Sequence, residues 1–123
     1  MRYITDRKRA MGPGSAHSGT SEHWQTIISA VSLLLLLPAF VFTVGPLIGA
    51  PHETVIETLS RPIPALIMLL TFASGFLHFR HGAQVMIEDY SRGLARKVLI
   101  IGVICVSYAA MGAALYAVVL IAL

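Results

Sequence analysis

Three long apolar runs, separated by short polar stretches, divide the chain. The first covers residues 24–48, holds Leu33 to Leu37 unbroken and carries no charged side chain. The second covers residues 62–87 and the third residues 98–123, the third again without charge. Each exceeds the ~20 residues a helix needs to cross a hydrocarbon core. The pattern therefore predicts an all-α membrane protein with three transmembrane helices in a single domain, residues 1–123. Trp24 opens the first span as an interfacial anchor. Pro38 removes a backbone donor near its middle and predicts a kink. Gly45-Pro46 and Gly49-Ala50-Pro51 close it. In residues 52–61, Glu53 and Glu57 share one helical face while Val55, Ile56 and Leu59 point elsewhere, the pattern of a brief interfacial helix. Ser60 stands where an N-cap of the second span belongs, with Pro62 in the first turn. Residues 91–97 read as a compact basic loop. In the third span Ala109, Ala113 and Ala117, with Gly102 and Gly112, predict close helix packing. Residues 1–22 are polar, and Gly, Pro and Ser crowd Gly12 to Ser21, which argues against helix or strand and for an irregular tail.

Composition supports the same class. The chain is 56% hydrophobic and 12% charged, with a mean hydropathy of +0.77, whereas soluble domains carry ~25% charged residues. The net charge of +3 is segregated by position, so it reads as a topology signal and not as a nucleic-acid patch. Lysines and arginines gather in the tail (Arg2, Arg7, Lys8, Arg9) and after the second span (Arg92, Arg96, Lys97), leaving Arg61 alone in the first loop. The positive-inside rule then places the N-terminus in the cytoplasm and the C-terminus in the periplasm. The first 22 residues lack the apolar core of a signal peptide, so the N-terminus is expected to stay on the side where it was made. The single cysteine, Cys105, has no internal disulfide partner. No phosphate loop, zinc spacing or nucleophilic triad is present.

The chemistry concentrates in His78-Phe79-Arg80-His81-Gly82-Ala83-Gln84-Val85-Met86-Ile87-Glu88-Asp89-Tyr90. Ionisable side chains within a membrane helix are costly and functional by default. His78 and Asp89 differ by only ~20° in helical direction and lie ~16 Å apart along the axis. One face thus presents an imidazole inside the bilayer and a carboxylate with a phenol at its edge. His78 is either a haem ligand, with Ser74 and Gly82 leaving clearance on its face, or a histidine bonded to a neighbouring helix. His81, ~60° from it, competes as ligand or serves as a polar partner to a haem propionate or interfacial water. Arg80 points away from both and either snorkels to the headgroups or pairs with a carboxylate. Asp89 and Tyr90 are either quinone contacts, the phenol donating to a carbonyl, or members of an interfacial belt. His23-Trp24 faces the same interface as an anchor or a site contact. Tyr108 and Tyr116 read as structural.

Histidine, three residues, glycine, six residues, then aspartate-tyrosine is a spacing met here by His78, Gly82, Asp89 and Tyr90. Together with the Gly12–Gly19 stretch leading to His23-Trp24 and the three spans, it resembles the small membrane-anchor (D-type) subunit of succinate dehydrogenase, respiratory complex II, of the alphaproteobacterial kind. The resemblance covers nearly the whole chain. It implies a multi-pass protein of the bacterial inner membrane that belongs to a succinate:ubiquinone oxidoreductase. It implies that His78 is one axial ligand to a b-type haem shared with the larger cytochrome b subunit. It further implies that Tyr90 hydrogen-bonds ubiquinone with Asp89 beside it. Iron–sulfur and flavoprotein subunits would complete the assembly, and no succinate site would lie on this chain. Some family members carry an arginine six residues after the first-helix histidine, where it meets a haem propionate. Here that position is Ser29, so His81, Arg80, His23 or a partner is left to supply the contact. A haem-free fumarate reductase anchor and a purely structural membrane assembly subunit are the alternatives.

Overall fold

The computed structural model describes residues 5–12 and 19–123. Helices α1 (Asp6–Met11), α2 (Gly19–Val44), α3 (His52–Leu59), α4 (Pro62–Tyr90) and α5 (Gly93–Ala122) follow in order, with a 3₁₀ turn at Gly45–Leu47 after α2. No strand occurs among the described residues. Three stretches are long and apolar enough to cross a membrane, Thr20–Leu47, Pro62–Tyr90 and Gly93–Ala122, as the hydropathy pattern predicts. Arg2 and residues 13–18 of the glycine-rich tail lie outside the described residues.

Several boundaries differ from expectation for local reasons. The tail forms α1 because Thr5 accepts from the Lys8 amide at 3.4 Å, and because Asp6 opens the turn while Lys8 and Arg9 close it, each charge favourable to the helix dipole. The glycine-rich run begins only at Gly12, where φ of 62° ends the helix. Ser60 caps α3 at its C-terminus and bonds back to the Glu57 carbonyl at 3.0 Å, which leaves Arg61 as the N-cap of α4. The basic stretch 91–97 is not a loop. Only Ser91 and Arg92 are extended, and Gly93, at φ 63°, reverses the chain in a conformation that costs an L-residue ~1 kcal/mol or more. Leu94, Ala95, Arg96 and Lys97 are strong helix formers and continue directly into α5. Pro38 sits inside an unbroken α2.

Helices α2 and α5 each pack along α4, which is the centre of the bundle. At one end Leu59, Ala65, Met68 and Val118 form the buried core, with Phe40, Val44, Leu47, Phe72 and Ile121 packed against it. The Phe40 and Phe72 rings meet edge to face at a 6.0 Å centroid distance. Leu34, Leu35, Phe42, Ile63 and Val106 face outward, as lipid-facing side chains do. Gly102, Ala109, Ala113 and Ala117 are also exposed, so the small-residue stripe does not pack α5 onto this chain's own helices. The buried face of α5 holds Ser107 and Val118 instead, ~140° around the helix from Ala109 and its neighbours.

Since lipid tails are as apolar as leucine, helix association here rests on close packing and interhelical hydrogen bonds. Met68→Ala is expected to leave a void in the α2–α4–α5 core and destabilise the bundle by about 2 kcal/mol or more. Detergent-titration unfolding of the purified protein reads this as an earlier loss of helicity.

Candidate functional site

The polar side chains collect at the opposite end from the apolar core. Thr26, Ser29 and Ser32 recur every third residue on α2 and give this otherwise greasy helix one polar edge. That edge faces α4. His78 is half-buried in the seam, and its Nδ1 lies 3.0 Å from Ser29 Oγ. Ser29 is 8% exposed, and its hydroxyl also lies 2.9 Å from the Thr26 carbonyl oxygen. Nδ1 carries the one hydrogen bond His78 makes among the described residues. Around the ring the helix is lightly furnished. A Cβ added at Gly82 would meet nothing within 4 Å, and one at Gly75 would only touch Leu33 at 4.0 Å.

Arg80 leaves α4 on the other side. Its Nη1 donates to the Tyr108 hydroxyl on α5 at 2.8 Å, and the guanidinium carbon lies 5.4 Å from that ring's centroid. Tyr108 is thus a partner and not only a filler, and Arg80 pairs within the chain at that hydroxyl. The guanidinium is only partly satisfied, because Nε is buried without a partner among the described residues. On α5 the Ser107 hydroxyl, 3% exposed, is also unpartnered among them.

His81 is 8% exposed and separates two cavities. One, about 480 Å³, is lined by Gln25, Ser29 and Ser32 of α2, Ser74, Arg80 and His81 of α4, and Tyr108 of α5. The second, about 230 Å³, joins Glu22, His23 and Thr26 to His81, Gln84 and Glu88. Gln84 donates to Glu88 Oε1 at 3.2 Å, and Arg96 of α5 reaches the same oxygen at 3.7 Å, which closes the mouth of the α4–α5 pair. His23 therefore shares a cavity with His81. Beyond them, Asp89 and Tyr90 stand exposed at the end of α4, Tyr90 at 87%. The fold does not bring these two into contact with the histidines.

On the other flank of the α2–α4 seam runs an apolar groove of about 440 Å³ between Leu33, Leu37 and Phe40 on one wall and Phe72, Phe76 and Phe79 on the other. No cluster of three or more His, Cys, Asp or Glu side chains occurs among the described residues. The chain offers single imidazoles instead. That donor set suits an iron already held in a macrocycle, which asks only one side chain of each subunit.

The partner roles of Ser29 and Tyr108 are not apparent from the sequence pattern alone. For Ser29 the one signal is the three-residue polar spacing on α2, which marks the edge that meets α4. Tyr108 left no such signal, because nothing in its own neighbourhood names Arg80, 28 positions away.

The family described as succinate dehydrogenase/fumarate reductase transmembrane subunit matches residues 1–122. The chain is 45% identical over 117 residues to the succinate dehydrogenase hydrophobic membrane anchor subunit of Paracoccus denitrificans, covering 95% of this chain and 91% of that one. It is 36% identical over 98 residues to the subunit of the same name from Rickettsia bellii (strain RML369-C), covering 77% of each. No solved structure gives a significant match. The three apolar helices and these relatives together fit a multi-pass protein of the bacterial inner membrane.

The Arg80–Tyr108 pair yields a direct test. A double-mutant cycle with Arg80→Met and Tyr108→Phe, read by detergent-titration unfolding, is expected to give a coupling of about 1 kcal/mol, the scale of interhelical hydrogen bonds in membranes. Additive losses would show that the pair does not bind α4 to α5.

Proposed function

The chain belongs to the succinate dehydrogenase/fumarate reductase transmembrane subunit family, and we propose that, as a succinate dehydrogenase membrane anchor, it provides one axial ligand to a shared b-type haem and one wall of a ubiquinone site. The observation that carries this reading is the half-buried His78 imidazole, tied at Nδ1 to α2 on a face left open at Gly82. His78 is the ligand. His81, buried between the two polar cavities, together with His23 and Arg80, supplies the polar surroundings from which a propionate contact is drawn. The second ligand comes from the larger cytochrome b subunit. When bound, the haem supplies a one-electron redox centre inside the membrane.

Tyr90 and Asp89 lie about three turns beyond His78 toward the helix end. Their exposure leaves the phenol free to donate to a quinone carbonyl, with the neighbouring carboxylate available to orient it or relay a proton. The remaining walls of that site belong to the iron–sulfur subunit and the larger anchor, and succinate oxidation belongs to the flavoprotein subunit. The arginines and lysines of α1 and the α4–α5 junction favour the cytoplasmic side for that end of the bundle, which puts the quinone residues beside the soluble subunits. Residues 1–123 act as one membrane-anchor domain.

His78→Leu in the assembled complex is expected to abolish or strongly perturb the b-type haem absorption spectrum, whereas His81→Gln retains it. Equal loss in both would contradict the ligand assignment. Tyr90→Phe is expected to lower succinate:quinone reductase activity about fivefold, the worth of a hydrogen bond of about 1 kcal/mol. Succinate oxidation by an artificial acceptor should be unchanged. Unaltered quinone kinetics would remove Tyr90 from the site.

A further inference from the structure

Ser29 lies buried in the α2–α4 seam, and its surroundings give it a task. Its hydroxyl has two partners, the Thr26 carbonyl oxygen at 2.9 Å and His78 Nδ1 at 3.0 Å. A hydroxyl owns one proton and two lone pairs, and a carbonyl oxygen can only accept. The contact to Thr26 therefore uses the serine proton. The contact to His78 must then be made by a ring proton, with Nδ1–H donating to Ser29 Oγ. At 8% exposure the serine has little water to substitute for either partner, so both bonds hold together. A neutral imidazole protonated at Nδ1 keeps its lone pair at Nε2.

We propose that Ser29 is a positioning residue which holds His78 in the Nδ1–H tautomer through a relay ending on the α2 backbone, so that Nε2 would keep its lone pair for a haem iron. This deepens the reading of His78 as axial ligand and rests on it. Metal-bound histidines commonly donate their second nitrogen to an acceptor that fixes ring orientation and raises ligand basicity. Here the acceptor is a hydroxyl anchored to the Thr26 carbonyl. Helix α2 thus sets the angle of a ligand it does not itself carry.

The test compares Ser29→Ala and Ser29→Thr in the assembled complex by redox titration of the haem spectrum and by its low-spin electron paramagnetic resonance signal. Removing the acceptor makes the imidazole a poorer donor and favours ferrous iron. Ser29→Ala is expected to raise the midpoint potential and broaden the low-spin signal with haem content retained, and Ser29→Thr to restore both. An unmoved potential and signal in Ser29→Ala overturns the proposal. Equal shifts in the two variants also overturn it, because they would mark a response to side-chain volume and not to the hydroxyl. His78→Leu, measured in parallel, separates the two claims. An unchanged haem spectrum there contradicts the ligand reading itself, whereas a spectrum lost or strongly perturbed there beside an unmoved Ser29→Ala contradicts only the role of Ser29.

Discussion

A polar group inside hydrocarbon has no water to fall back on, and this constraint organises the half of the bundle that carries the buried polar groups. Its main expression is the contact between Ser29 and His78, which joins α2 to α4 at 3.0 Å. The serine satisfies the imidazole at Nδ1, and the Thr26 carbonyl satisfies the serine. Without α2 alongside, Nδ1 would face lipid or a disordered cleft. With it, the ring is held from one side and left unencumbered on the face marked by Gly82.

The same constraint explains why α4 lies in the middle. It carries an imidazole aimed at α2 and a guanidinium aimed at α5, and each needs a partner on a different helix. Arg80 finds the Tyr108 hydroxyl and ring face, and the α4–α5 turn is fastened where Arg96 meets Glu88. The other half of the bundle is held by packing alone, through Met68, Val118 and the Phe40–Phe72 pair. The two halves thus divide the work. One fixes the helices by shape, and the other aims a few polar groups. Two buried atoms, Arg80 Nε and Ser107 Oγ, lack a partner among the described residues, and both belong to the polar half and its α5 wall.

Much of this architecture was legible in the sequence because a membrane makes hydropathy nearly decisive. Runs of uncharged residues such as Leu33 to Leu37 leave only a helix as a satisfied backbone. Boundaries were less legible, since local backbone chemistry sets them. Gly93 turns the chain within two residues and carries Arg96 and Lys97 into α5, where composition alone had read a basic loop. Thr5 and Asp6 start a helix ahead of the glycine-rich run. The stripe of Ala109, Ala113 and Ala117 shows the limit of periodicity, which finds a face without saying what it meets. For the site, His78, His81 and Arg80 were visible as ionisable residues in an apolar run, and helical geometry already sent Arg80 away from His78. Their partners Ser29 and Tyr108 were not, because contacts 49 and 28 positions apart arise only when the helices pack.

The proposed ligand role comes down to one imidazole of this chain, oriented from α2, reaching the iron of a shared haem. A density map of the assembled complex tests it most directly. Iron is expected at coordination distance, ~2.0–2.1 Å as for other metal-bound imidazoles, from Nε2 of His78, with Nδ1 still against Ser29. Iron held by His81 or by Nδ1 of His78, or no porphyrin beside α4, would contradict it.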